Sequence, residues 1–140
     1  MPLLTGTWTI VADGHEGTLH INSVAPTGEV NFALVIPGFA GTGGNDFNSG
    51  YWDESSQTIT LHITKYDLGP IDPGPGIPNF YASFAFEGCQ FPMPAQPLPG
   101  QDVVWTLVGH FNMIGSGPGG PTPSARRHRF GWRATLNQTL

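Results

Sequence analysis

Eight short runs of alternating apolar and polar residues, the first opening at Gly6-Thr7-Trp8 and the last closing at Gly131-Trp132-Arg133, constrain this chain more than any other feature. Side chains on a β-strand point to opposite faces in turn, so strict alternation marks a strand with one face buried and one wet. The clearest case is Gln57 to Lys65. There Ile59, Leu61 and Ile63 share one face, while Thr58, Thr60, His62 and Thr64 share the other. The same rule groups Trp8, Ile10 and Ala12; Leu19 and Ile21; Val30, Phe32, Leu34 and Ile36. It also groups Phe80, Ala82, Phe84 and Phe86; Val103, Trp105, Leu107, Gly109, Phe111 and Met113; and Phe130, Trp132, Ala134 and Leu136. A fourth run lies around Phe47 to Trp52. Helical periodicity is sustained nowhere.

The runs are set apart by turn and loop signals: Asp13-Gly14, Pro26-Thr27-Gly28, the glycine-rich Gly38 to Asn45, and Asp53-Glu54-Ser55-Ser56. Asp67 to Asn79 holds four prolines, which remove backbone donors and fix φ, so it reads as a long loop. Pro92 to Gly100 and Gly115 to Pro123 read the same way. With 20 glycines and 14 prolines placed in these connections, the remaining sequence is rich in β-branched and aromatic residues. The expectation is a single all-β domain over residues 1–140. Its preferred form is an eight-stranded antiparallel up-and-down β-barrel, because closure removes both sheet edges; a β-sandwich is the alternative.

Composition narrows the function classes. A net charge of −5 with few cations disfavours nucleic acid and anionic membrane as partners. No stretch approaches the ~18 apolar residues of a membrane helix, and the N-terminus lacks a basic segment followed by an apolar one. The chain therefore reads as a soluble, cytoplasmic protein. One cysteine, Cys89, forbids an intramolecular disulfide. Only 11% of residues are charged, which is low for a free monomer, so either Thr, Asn, Gln and Ser wet the surface or a homo-oligomer covers part of it.

Gly6-Thr7-Trp8 at the start of an up-and-down β chain resembles the calycin barrels, that is the lipocalins, fatty-acid-binding proteins and avidins, whose first strand opens with Gly-x-Trp. The resemblance implies a barrel fastened at Gly6, Trp8, Trp132 and Arg133, with the arginine packing across the first-strand tryptophan. Parity places Arg133 opposite Trp132, so that contact requires a bulge. Leu107-Val108-Gly109-His110 is similar to a late avidin strand. The positions that anchor biotin in avidins read Thr9-Ile10-Val11-Ala12 here, so biotin binding is not implied.

No catalytic constellation stands out. The five histidines lack metal-ligand spacing, and His20, His62 and His110 fall on the outward faces. Asp53, Glu54, Asp67 and Asp72 read as turn formers that bond their own backbone. Gly115-Ser116-Gly117-Pro118-Gly119-Gly120 joins two strands, so it lacks the helix N-terminus that a phosphate loop requires. No cofactor or metal is implied. Arg126-Arg127-His128-Arg129 concentrates positive charge that could clamp an anion. The aromatic residues are numerous enough to fill a small barrel or to stack on a flat ligand at its end. The candidate ligand-binding residues are Tyr51, Trp52, Tyr81, Trp105, Arg127 and Arg129. The expected function is non-catalytic binding of a small hydrophobic or aromatic ligand at the barrel mouth. The alternatives are a small barrel enzyme of cyclase or isomerase type, marked by a buried ionisable group, and a self-associating structural protein.

Overall fold

The structure is a computed structural model that describes residues 1–37, 40–41, 47–66, 81–116 and 126–139. Its strands are β1 (Gly6–Ala12), β2 (His15–Val24), β3 (Val30–Ile36), the two-residue β4 (Ala40–Gly41), β5 (Phe47–Asp53), β6 (Thr58–Tyr66), β7 (Tyr81–Met93), β8 (Asp102–Ser116) and β9 (Arg126–Thr139). The eight long strands match the eight alternating runs. Together with β4 they form one antiparallel sheet in the order β4-β3-β2-β1-β9-β8-β7-β6-β5, so consecutive long strands pair, except β3 with β5, and β1 pairs with β9. Thr9 opposite Thr135 and Ala12 opposite Trp132 mark that closing pair. The sheet curls into a nearly closed up-and-down barrel, and among the described residues there is no helix long and apolar enough to cross a membrane.

Up-and-down order fixes which connection lies at which end. The turns at 25–29, 54–57 and 94–101 share one end with the N-terminal segment; we call it the lower end. The β1–β2 turn and the connections 37–46, 67–80 and 117–125 leave from the upper end.

Alternation predicts the interior well. Trp8, Ile10, Leu19, Ile21, Leu34, Ile59, Leu61, Ile63, Phe86, Leu107 and Phe111 are essentially inaccessible, and Trp132 and Ala134 join them from β9. Phe86 stacks on Phe111 with ring centroids 4.7 Å apart, Trp132 meets Phe86 edge-on at 5.8 Å, and Phe130 lies against Phe111 at 5.2 Å. This half of the barrel is therefore filled by its own aromatic side chains, each pair in a geometry that aromatic quadrupoles favour.

The Trp132 ring is accommodated because Gly88 has no side chain, and Gly109 lets the β7 and β8 backbones come close beside it. Gly88 pairs with Gly109, and Gly109 pairs with Trp132. A Cβ on Gly88 would lie 2.6 Å from the Trp132 ring, and one on Gly109 would lie 1.8 Å from the Glu87 carbonyl oxygen. Trp132 Nε1 donates to that same Glu87 carbonyl at 3.1 Å and to the His110 carbonyl at 3.0 Å. A buried indole N–H needs an acceptor, and this one reaches two across three strands.

Several boundaries differ from expectation. β7 runs on through Pro92 to Met93 instead of breaking there. Gln90 N–H donates to Gln57 O, so the backbone two residues later faces the same side, beyond the start of β6, where Pro92 withholds no ladder bond. The cluster Arg126 to Arg129 opens β9 itself and pairs with Asn112 to Gly115. Arg133 is exposed, pairs in plain register with Val11 and Val108, and does not reach the buried Trp8; the bulge that contact requires does not occur. Two hairpins read alike in sequence, Gly6-Thr7-Trp8 followed by Thr18-Leu19-His20-Ile21 and Gly50-Tyr51-Trp52 followed by Thr60-Leu61-His62-Ile63, but they are not a structural repeat. His20 pairs with Thr7, whereas His62 pairs with Ser49, and β1 and β5 run in opposite directions.

Replacing Gly109 by Ala is expected to cost more than about 3 kcal/mol of folding stability, because backbone must move to admit the methyl group. Gly131→Ala serves as the control, since its added Cβ would meet nothing nearer than 3.9 Å. Chemical denaturation of both variants checks this, and similar losses at the two positions would contradict the packing described.

Candidate functional site

Among the described strands, the wall of the barrel breaks between β3 and β5. Near the upper end β3 pairs with β4, Val35 opposite Gly41 and Ile36 opposite Ala40. Near the lower end the gap is crossed by a bridge between Glu29 and Tyr51 and by a 2.8 Å bond from Trp52 N–H to Gly28 O. The turn that reaches across is held by Ala25 N–H to Glu29 O at 2.8 Å and Gly28 N–H to Ala25 O at 2.9 Å. Gly28 sits at φ +103°, and a Cβ there would lie 2.5 Å from the Tyr51 ring and 2.8 Å from Trp52 O. Both the backbone angle and the close approach call for glycine.

The N-terminal segment covers the lower end. Leu3 is buried, and Gln90, a buried polar residue of β7, holds the segment in place. Gln90 Oε1 accepts from Leu4 N–H at 3.1 Å, and its Nε2 donates to Pro2 O at 3.0 Å. Trp8 Nε1 donates to Leu4 O at 3.2 Å, and Gln57 Nε2 donates to Met1 O at 2.6 Å. An amide is suited to this task because it donates and accepts at once.

Between this segment, the 25–28 turn and the 53–55 corner lies a pocket of about 420 Å³, within the size range of ligand sites. Pro2, Leu3, Val24 and Pro26 supply apolar wall, and Tyr51 and Trp52 supply rings. Tyr51 is half exposed; Trp52 is buried. The polar groups at the rim are mostly engaged with one another. Thr27 Oγ1 donates to Glu29, Ser55 donates to Asp53 Oδ1 from both its backbone N–H at 3.0 Å and its hydroxyl at 2.6 Å, and Glu54 lies 3.3 Å from the terminal ammonium. The Ser55 hydroxyl, with Ser56 beside it, holds the Asp53 carboxyl below the usual carboxylate range. This is the turn-forming role read from the sequence.

The six candidate ligand residues do not converge. Tyr51 and Trp52 meet in the pocket. Trp105 lies at the same end, paired with Pro92 and Leu136, but is buried and is not part of the pocket wall. The backbones of Tyr81, Arg127 and Arg129 belong to the opposite end, where Tyr81 pairs with Ser116 and Arg127 with Ile114; their side chains lie outside the described part. Pro2, Leu3, Val24 and Ser55 are pocket residues that the sequence does not single out.

Among the described residues no group of three or more metal-ligating side chains converges, and the buried polar residues are Gln90 and Thr106, neither ionisable. His15 and His62 are exposed, and His20 Nδ1 bonds Thr7 Oγ1 at 2.7 Å on the outer surface. Asp67, Asp72 and most of the Gly115–Gly120 motif lie outside the described residues. Comparison with protein-family models, with curated proteins and with solved structures gave no match.

The depressed Asp53 ionisation links this corner to pH. A carboxyl whose folded value lies below its unfolded value stabilises the fold above the ordinary carboxylate range, and that contribution fades as pH falls through the depressed value. NMR titration of the Asp53 carboxyl is expected to give a midpoint below the ordinary aspartate value, moving up toward it in Ser55→Ala. An unchanged midpoint in that variant would remove Ser55 as the cause.

Proposed function

We propose that this protein is a calycin-like barrel that binds a small apolar or aromatic molecule without transforming it, in the lower-end pocket between the N-terminal segment and β5. The observation that carries this reading is the pocket of about 420 Å³ in which Tyr51 and Trp52 stand beside Pro2, Leu3, Val24 and Pro26. Aromatic walls with few unsatisfied polar groups suit a flat, weakly polar guest, and a barrel interior already occupied by Phe86, Phe111 and Trp132 moves the guest to the end of the barrel. An enzymatic reading would rest on a buried ionisable group facing such a pocket, and the described residues supply no support for it.

Titration with 2-naphthol, followed through backbone amide NMR shifts, tests this. Saturable shifts are expected at Gly28, Trp52 and Ser55, with affinity at least 5-fold weaker in Tyr51→Ala. Shifts that instead cluster at the start of β9 and the end of β8 would move the site to the upper end, where the three glycine- and proline-rich connections depart.

A second reading, self-association, is favoured by exposed apolar side chains on adjoining outer strands: Phe91 and Met93 on β7 and Val108 on β8. A second copy laid on that strip would cover apolar surface that water otherwise meets. Sedimentation velocity is expected to give a multiple of 15.0 kDa, falling toward the monomer in Val108→Lys. A monomer at all concentrations would exclude this reading.

A further inference from the structure

The Tyr51 ring and two carboxylates share one face at the pocket. Tyr51 lies directly opposite Glu29 across the seam, a pairing that puts both side chains on the same face with Cβ atoms about 5 Å apart. Asp53 follows two residues along β5, on that face and roughly 7 Å further on, while Trp52 between them turns inward. Tyr51 is 50% exposed, and Glu29 is exposed as well. Tyr51 and Asp53 both line the pocket, and Thr27, bonded to Glu29, lines it beside them. An accessible aromatic ring is thus flanked by a carboxylate on each of two sides.

Both carboxylates keep their charge. The Thr27 hydroxyl holds the Glu29 carboxyl below the usual carboxylate range, and the Ser55 hydroxyl does the same for Asp53, so both are anions near neutral pH. A hydroxyl fixes a carboxylate in place without cancelling its charge. Glu54 is paired with the terminal ammonium at 3.3 Å, but among the described residues no lysine or arginine lines the pocket to offset the other two. The cations of the chain lie elsewhere along the strands: Lys65 pairs with Ala82 toward the upper end, Arg133 pairs with Val108, and Arg126, Arg127 and Arg129 open β9 at the upper end.

This combination selects a class of guest. A carboxylate or phosphate entering there would meet like charge. A small metal ion needs several ligands converging on one point, and among the described residues no three metal-ligating side chains do so. An organic ammonium suits both features, since the ring quadrupole attracts a cation over its face and the flanking carboxylates add to that attraction. When the ammonium is methylated, its charge is spread over apolar methyl groups, which keeps its surface compatible with Leu3, Val24 and Pro26 in the same wall. Resting on the reading of this pocket as a binding site, we infer that its guest is an aromatic cation bearing a methylated ammonium group, whose head lies against Tyr51 between Glu29 and Asp53 and whose ring fills the apolar part of the pocket.

The (3-hydroxyphenyl)trimethylammonium ion and 3-tert-butylphenol have nearly the same shape and differ by the charged nitrogen. Isothermal titration of the full chain at low salt is expected to show the cation binding at least about 10-fold more tightly, a preference that shrinks as salt screens the carboxylates. In the double variant Glu29→Gln, Asp53→Asn, which retains an acceptor oxygen at both positions, the preference is expected to fall below about 2-fold through weaker binding of the cation. Because that variant alters two turns, the wild-type protein supplies an independent readout: nuclear Overhauser contacts from the ammonium methyl protons to the Tyr51 ring. Equal or reversed affinity for the two probes overturns the inference while leaving the pocket reading intact. A preference that survives in the double variant also overturns it, as do methyl contacts that fall on residues away from Tyr51. Binding of neither probe defeats both the pocket and the cation.

Discussion

The structure depends on one close approach, the Trp132 ring laid against Gly88 where the β7 and β8 backbones meet glycine to glycine. Three strands, β7, β8 and β9, come together there without intervening side chains, and a single indole covers the space they leave. Its N–H bonds two carbonyls that would otherwise face an apolar interior, so the same group provides both packing and polar satisfaction. Because β9 also pairs with β1, a misplaced Trp132 would disturb the closing pair as well as the core. The aromatic stack of Phe86, Phe111 and Phe130 continues from this point and occupies the barrel's middle.

That filling leaves little room inside the barrel. A barrel of eight strands has an interior just wide enough for side chains, and here large ones use it. The pocket beside Tyr51 and Trp52 lies at the lower end, where the wall is completed by a turn and an N-terminal segment instead of a strand. The seam between β3 and β5 is the weakest part of the wall, and it is closed at the pocket itself. Gly28 and Trp52 share the bond that crosses the seam, so the integrity of the wall and the shape of the pocket rest on the same two residues.

Much of this fold is legible in the sequence, because burial on one face imposes a period of two. Ile59, Leu61 and Ile63 illustrate it, as do Trp105 and Leu107 on β8, and the outward placement of His62 and Arg133 follows from the same count. The site is less legible. Parity tells which face a residue occupies but not which end, and so Tyr81, Arg127 and Arg129 read as neighbours of Tyr51 although they begin from the opposite end. Strand direction, which alternates in an up-and-down chain, separates them. Gln90 offered a usable signal: it is a polar residue at an inward position, following Phe84, Phe86 and Gly88, and such a residue needs internal partners. Its partners, Pro2 and Leu4, have no periodicity and leave no trace in the pattern. The seam is illegible for a similar reason, since it is made by backbone groups of a turn.

The pairing of β1 with β9 bears on how the chain is made. During synthesis β1 emerges and finds β2 at once, through a two-residue turn. Its other edge has no partner until residues 126–139 leave the ribosome, and the N-terminal segment likewise waits for Gln90. Until then the chain carries an open strand edge next to apolar side chains, which is the arrangement that favours pairing with other nascent chains. Contacts of such long sequence separation also make for slow closure. Until the fourteen residues of β9 arrive, the sheet has the outer edge of β1 unguarded.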